Sequence, residues 1–453
     1  MAAPKSLVLK PNFLTAALLS LSACAALASG SSVSAATIFV DDDQQGNASP
    51  TIQAALLKAK AGDTIRVRPG VYYGPVVVDK AVTIQGAGPT DFATNPPAPG
   101  VNDPSVSSIV YNTGQGGFDV VAGDVSISRF RIVGSTQSPA YPNAGIVLRA
   151  GSGRTLNSNV FEGNGLGVYA EGNEQSLTIS GNAFYNNFRS VIASDPYNQT
   201  YPHGGMFLTG GQLNTATIQS NRFSGNGQFS MNFGNVSSVG LAVTQNTANN
   251  EGAFVIVGNT TNAQISGNTA TNLYSTGVYS FGNNTGLSIS QNTLQGAGVT
   301  LGNGAGIRLT VNYGNTVGDT NPSITSNTIS GFPFDGLRLQ SISGAVVSAN
   351  TISGNGRHGI FVQTTSTSQF TQNVISSNAQ VGIQVEATST NNLFGGSPSA
   401  GNTLTGNVVL DAGDASVGGG TAGTANTWIG NTGGTSNPIG ILNNAAAART
   451  GGK

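Results

Sequence analysis

An all-β solenoid, a parallel β-helix with an amphipathic helix capping its N-terminal end, is the fold this sequence predicts. Three observations carry the prediction. Residues 327–340, 350–363 and 373–386 read NTISGFPFDGLRLQ, NTISGNGRHGIFVQ and NVISSNAQVGIQVE, each beginning 23 residues after the last. The asparagine that opens each copy recurs at Asn159, Asn182, Asn221, Asn246, Asn268, Asn292, Asn327, Asn350, Asn373 and Asn402. Two residues after it all ten positions are apolar, and no segment of the repeat sustains helical spacing. One coil of short strands per repeat satisfies all three, with each apolar position landing on its equivalent about 4.8 Å away.

The repeat overrides what length alone suggests. A chain of 453 residues would ordinarily form two or three domains. Stacked coils instead grow along one axis without outgrowing their core. Only 8% of residues are charged, against about 25% in ordinary domains. The net charge of −1 gives no footprint for nucleic acid or anionic lipid.

Residues 1–36 read as an export signal. Lys5 and Lys10 precede the apolar run 13–28, and Val33-Ser34-Ala35 is a small-residue cleavage site. A second reading takes LSAC at 21–24 as a lipoprotein box, with Cys24 acylated and the following residues a tether. Both place the mature protein outside the cytoplasm, secreted, periplasmic or lipid-anchored, with no disulfide and no transmembrane segment. A monomer is expected.

Residues 37–88 form the cap and first coils. Ile38–Val40 is a strand. Asp41, Asp42 and Asp43 follow, either a solvated turn or a calcium site; no other cofactor is expected. Ser49 and Pro50 suit the start of a helix over 50–60, on which Ile52, Ala55, Leu56 and Ala59 share a face. Strands are expected at 64–68, 76–79 and 82–85. Residues 89–410 form the β-helix body. Residues 411–453 form a C-terminal cap and a Gly/Ala/Thr-rich tail, with one short strand near Trp428.

The asparagines are expected to form a buried ladder, each side-chain amide donating to one coil and accepting from another. A second ladder is expected five positions later, at Asn164, Asn187, Asn226, Asn355, Asn378 and Asn407.

Residues 51–88, TIQAALLKAKAGDTIRVRPGVYYGPVVVDKAVTIQGAG, resemble the opening of pectin methylesterases and other members of the pectin-lyase-like superfamily. The resemblance implies a right-handed parallel β-helix. It does not imply one activity, because that superfamily holds lyases, hydrolases, esterases, epimerases and non-enzymes. The methylesterase strings DFIFG and GRPW, the pectate-lyase calcium site and the epimerase DPH string have no counterpart here. FDG at 334–336 and RHGI at 357–360 resemble active-site strings of polygalacturonases, without that family's paired aspartates.

Chemistry is expected on the strand that follows the second turn, of form Gly-apolar-x-apolar-x. Its outward positions read Tyr169 and Glu171; Ile192 and Ser194; Met231 and Phe233; Tyr279 and Phe281; Arg308 and Thr310; Arg338 and Gln340; Phe361 and Gln363; Gln384 and Glu386. Aromatic side chains stack on sugar rings, and arginines pair with carboxylates. The stripe therefore reads as a groove for an acidic polysaccharide, or as aromatics that merely stabilise the sheet. Insertions at 195–205 and 311–322 are expected to wall the groove, the first offering Tyr197, Tyr201 and His203. Asp335, Arg338 and His358 share a phase and are expected to cluster as base and carboxylate clamp. Two functions follow: an exported β-helix protein that binds, and in the stronger form cleaves or epimerises, an acidic polysaccharide; or a non-catalytic envelope or surface rod.

Overall fold

The computed structural model describes residues 34–88, 103–112, 116–134, 142–188, 203–298, 304–311, 317–443 and the backbone of 446–447. The export signal falls almost wholly outside them. From Ala36 onward the chain is one unit, a parallel β-solenoid. Each coil contributes strands to three faces. In the coil of Asn350 these are Val346–Ser348 on the first face, Thr351–Ser353 on the second and Ile360–Gln363 on the third. Every strand pairs in parallel with its equivalents one coil before and after, so Ile329, Ile352 and Ile375 stack in register.

Register decides the core. Along each short strand one parity points inward, and those residues form one continuous apolar column from Val40 to Leu442. Aromatic rings stack coil on coil: Phe161, Phe184 and Phe223 at 4.7 and 4.8 Å, and Phe370, Phe394 and Trp428 at 4.6 and 4.0 Å. The phenylalanine distances match the strand spacing, so stacking costs no departure from the ladder, and Trp428 closes in tighter at the end.

The cap helix spans Ile52–Lys58 and is shorter than expected. Its N-cap is Thr51, whose hydroxyl accepts from Ala54 N at 3.0 Å. Ser49 is not available for that role. It bridges Val40 in the sheet and takes the Lys58 ammonium on its hydroxyl. Past residue 410 the coils continue: Leu410–Asp414, Thr427–Ile429, Thr435–Asn437 and Ala446–Ala447 all pair in parallel.

The first asparagine ladder runs from Asn159 to Asn431. Each amide Nδ2 and each backbone N–H donates to the side-chain oxygen one coil later, as in Asn350 to Asn373 at 2.9 and 3.0 Å. The same Nδ2 also reaches the Ile324 carbonyl at 2.8 Å. The residue just before the asparagine is commonly left-handed: φ is +57° at Ser326, +56° at Ala349 and +56° at Gln372. That one residue turns the chain from the first face to the second and aims the amide inward.

Other ladders end at carboxyls. Asn164, Asn187 and Asn226 lead to Glu251, and Asn355, Asn378 and Asn407 lead to Asp411. A carboxyl accepts from the last amide without obliging the next coil to accept in turn. Glu251 is wholly buried, and its second oxygen makes no hydrogen bond of good geometry among the described residues, with the Ser230 hydroxyl nearby. Burial pushes its carboxyl up from 4.5 to about 8, against the opposing Asn226 donors. Because the folded value exceeds the unfolded one, this group's contribution is full below pH 4.5 and is lost as pH rises through about 8. Glu251→Gln keeps the acceptor and removes the titration. The urea midpoint of the wild type should therefore fall between pH 6 and 9 relative to Glu251→Gln; parallel pH curves would refute this assignment.

Candidate functional site

The third face positions the candidate residues. Its strands are preceded by glycines because a side chain there would strike the next coil. A Cβ on Gly359 would lie 2.6 Å from the Gly382 carbonyl oxygen and 2.8 Å from Asn378 Nδ2. The chain therefore enters each strand tight against its neighbour, and alternate residues face out. In-register pairing sets one outward column as Tyr169, Phe207, Asn232, Ile256, Tyr279, Arg308, Arg338, Phe361 and Gln384. A second column beside it holds Thr310, Gln340 and Gln363, with Glu386 next after Gln363.

Met231 and Phe233 do not belong to the outward set. Both are fully buried in the core, and Asn232 faces out. The expected alignment slipped by one residue, which exchanges the two faces of a strand. Counting five residues from the ladder asparagine lands inward at Ile360 from Asn355 and at Ile383 from Asn378, and likewise at Met231 from Asn226.

The expected stripe is also less open than an aromatic groove. Tyr169, Phe207, Ile256 and Phe281 are buried and form a second apolar cluster with Phe229 and Val147. The Phe281 ring lies over Gly234, two coils back, where any side chain would collide with it. Tyr279 is half-buried and meets Phe281 edge-on at 4.9 Å. Phe361 is 7% exposed.

At Arg308 the character of the face changes. Arg308, Arg338 and Arg357 are the only lysines or arginines between residues 223 and 448. Six carboxylates share residues 223–443, and five of them, Glu251, Asp319, Asp335, Asp411 and Asp414, are buried. The incompletely buried charges of this half, the three arginines and Glu386, thus all lie on or at the entry to the third face.

Each arginine rests on an aromatic ring. The Arg308 guanidinium carbon is 5.0 Å from the Tyr279 centroid, and Arg338 is 4.9 Å from Phe361. Arg357 is 4.7 Å from Phe361 and 5.7 Å from Phe334. Stacking fixes the guanidinium planes and leaves their edges free to donate. Asp335 is fully buried beneath them. It accepts a bidentate pair from Arg357, at 2.9 and 2.8 Å, and lies 3.7 Å from Arg338. Burial raises the Asp335 carboxyl, and the Arg357 pair acts against that shift. Among the described residues Arg308 has no carboxylate partner, and its Nε is buried without a hydrogen bond, as is the Nε of Arg338. Arg338 otherwise reaches only Gln363, at 3.5 Å. Gln340 accepts from the Thr310 hydroxyl at 3.0 Å.

His358 does join Asp335: its backbone N–H donates to the carboxylate at 3.3 Å. Its ring points elsewhere. Nδ1 accepts from Val381 N at 3.3 Å, and the ring stacks on Phe361 at 5.4 Å. Burial, and after it the Arg357 charge, push the imidazole down to about 4. At neutral pH the ring is uncharged and the nitrogen able to take a proton is occupied.

Other expected site residues lie apart. His203 is buried against Gly227 and Phe188. Its neighbour Gly204 heads the coil four before that of Arg308, about 19 Å along the stack. Ile192, Ser194, Tyr197 and Tyr201 lie outside the described residues. Arg357 and Phe334 open the strings RHGI and FDG, but neither is among the residues expected to act at the site. The signal that marks Arg357 is numerical: it is one of just three basic residues in half the chain. Asp41, Asp42 and Asp43 bring carboxylate oxygens within 4.8 Å of one another. Asp41 is already engaged by Arg68 at 2.7 Å and by Asp43 N at 3.1 Å, and Asp42 by Val71 N at 2.8 Å. Those donors would compete with a cation. No helix among the described residues is long and apolar enough to cross a membrane.

The family model described as right handed beta helix region matches residues 99–251 and 255–432. Comparison with curated proteins finds no match. Among solved structures the chain is similar to tailspike protein 3 of bacteriophage CBA120, at 12% identity over 89% of this chain and 62% of that one, with a TM-score of 0.49. It is similar to a mannuronic acid specific polysaccharide family 6 lyase from human gut microbiota, at 10% identity over 82% and 81%, with a TM-score of 0.48. It is also similar to the A-module of the Azotobacter vinelandii mannuronan C-5 epimerase AlgE6, at 14% identity over 88% and 95%, with a TM-score of 0.39.

Proposed function

The chain belongs to the right-handed β-helix family, and on that premise we propose that it binds an acidic polysaccharide across Arg308, Arg338 and Arg357. One observation carries the reading: the three cations of this half lie on one face, and among the described residues the first has no carboxylate partner and a buried Nε without a hydrogen bond. A guanidinium edge left without an acceptor in a partly buried site is costly, and a ligand carboxylate offers the missing bidentate partner. The half-buried ring of Tyr279, and the amides of Gln340 and Gln363, offer an apolar face and hydrogen-bonding edges to sugars.

On this reading Asp335 and His358 scaffold the arginines rather than act as base and acid. Asp335 holds Arg357 bidentately and is shut off from solvent. His358 is neutral, with Nδ1 already used. Binding should accordingly show no histidine step between pH 6 and 8. Export is part of the same proposal, supported by Lys5, Lys10 and the apolar run 13–28.

Electrophoresis through gels cast with polygalacturonate, alginate or hyaluronan tests the reading. At least one polymer should retard the protein, and added salt should weaken the retardation because the ion pairs are only partly buried. Free migration through all three at low salt would contradict it.

A further inference from the structure

We infer that Glu386 sets specificity on the arginine face: it keeps an acidic sugar out of the coil after Phe361, so the site reads the end of an acidic stretch where a neutral sugar follows. The inference rests on the acidic-polysaccharide reading and narrows it. Arg308 and Arg338 occupy successive coils of the outward column, between Tyr279 and Phe361. Arg308 leans back over Tyr279 and Arg338 leans forward over Phe361. They are two seats, and each Nε is buried without a hydrogen bond. A glycan lying along the stack would meet them with different acidic sugars.

In the neighbouring column Gln340 pairs with Gln363, and the next coil brings a carboxylate instead of an amide. The register carries through to it: Val362 pairs with Val385, and Glu386 N donates to the Val362 carbonyl. Glu386 is half-buried. Among the described residues its carboxylate makes no ion pair and no hydrogen bond. Arg338, two coils back and about 10 Å along the stack, is within its electrostatic reach. The outward residues beside and beyond it are Gln384 and Gly413, and no lysine or arginine lies between residues 358 and 448. The charge of the face therefore changes sign past Phe361.

A pyranose advances a glycan by roughly the distance one coil advances the solenoid, about 5 Å. Four acidic sugars would thus span the coils of Tyr279, Arg308, Arg338 and Phe361, and a fifth would reach the coil of Glu386. An acidic fifth sugar meets a like charge at close range, which opposes binding. A neutral fifth sugar offers hydroxyls that donate to the carboxylate in charge-assisted bonds. An amide there, as in the two preceding coils, would accept either sugar.

Calorimetric titration of the wild type and Glu386→Gln provides the test. The variant keeps the fold, because Gln already stands at this position in the two preceding coils. Tetragalacturonate, which ends before the Glu386 coil, should bind both proteins equally. Long polygalacturonate should bind Glu386→Gln about tenfold tighter than the wild type. Polygalacturonate carrying methyl esters in blocks, where acidic runs meet neutral sugars, should bind the wild type better than the fully acidic polymer does, and the variant should lose that preference. An equal gain for tetramer and polymer would mean a diffuse charge effect, and no gain for the polymer an idle Glu386. Either result, or a wild type that prefers the fully acidic polymer, would overturn the inference while leaving acidic-glycan binding intact. Failure of both proteins to bind any of the three, together with free migration in the gels, would overturn both.

Discussion

Replacing Asn350 by alanine is expected to destabilise the solenoid by about 3–5 kcal/mol, since each buried polar group left without a partner costs about 1–3 kcal/mol. Asn350 is fully buried, and its amide oxygen accepts from both the backbone N–H and the Nδ2 of Asn327, at 2.9 and 3.0 Å. Its Nδ2 donates to Ile324 O and to the oxygen of Asn373. Alanine strands donors in the preceding coil and the Ile324 carbonyl, and nothing apolar can replace them. Asn350→Asp should also destabilise, because it keeps an acceptor but places an ionisable group where an onward donor is needed. Glu251 and Asp411 are tolerated because each sits where a ladder stops. The control is Asn249→Ala on the exposed second face, where the amide meets only Thr271 and Asn272 and a shift within about 0.5 kcal/mol is expected. Urea unfolding of the three variants decides the matter. A loss below about 1 kcal/mol for Asn350→Ala would mean that the ladder decorates the coil rather than holds it.

The ladder was legible because two signals agree at one position. An asparagine with an apolar residue two places later recurs at near-constant period, and a buried amide can be satisfied along a stack only if every coil repeats it. The outward face was legible wherever Gly-apolar-x-apolar is intact, as at Gly336–Gln340 and Gly359–Gln363. It failed at 229–233, where FSMNF offers apolar residues at alternate positions that fit either face until the register with Ile256 is known. Burial of the outward aromatics was not legible at all. Whether Phe207 or Phe281 meets water depends on what lies against it, which strand periodicity does not encode.

The site was half legible. Asp335 and His358 share a phase, and the fold does bring them together. Their chemistry depends on Arg357, which sits in the turn ahead of the strand, outside the pattern used to choose outward residues. Its bidentate hold on Asp335 turns an expected base into a buried counter-ion. Arg357→Ala should thus act mainly on stability, since it takes the bidentate partner from a buried carboxylate and leaves it Arg338 at 3.7 Å and the His358 N–H, a loss of about 3 kcal/mol.

Arg308 is the opposite case. It has no ion pair to lose, so Arg308→Gln should leave the unfolding midpoint unchanged while weakening ligand. With Arg338→Gln added, two charge-assisted contacts worth about 1.5–3 kcal/mol each are removed, an expected loss of about 100-fold or more in affinity. The most direct measurement is therefore the affinity of the wild type and of Arg308→Gln/Arg338→Gln for the acidic polymer that retards the protein, alongside urea midpoints for both. Loss of affinity, with a midpoint lowered only slightly by loss of the 3.7 Å Arg338–Asp335 contact, is the expected result. Equal affinity in the folded double variant would contradict the claim that the arginines of this face are the binding site.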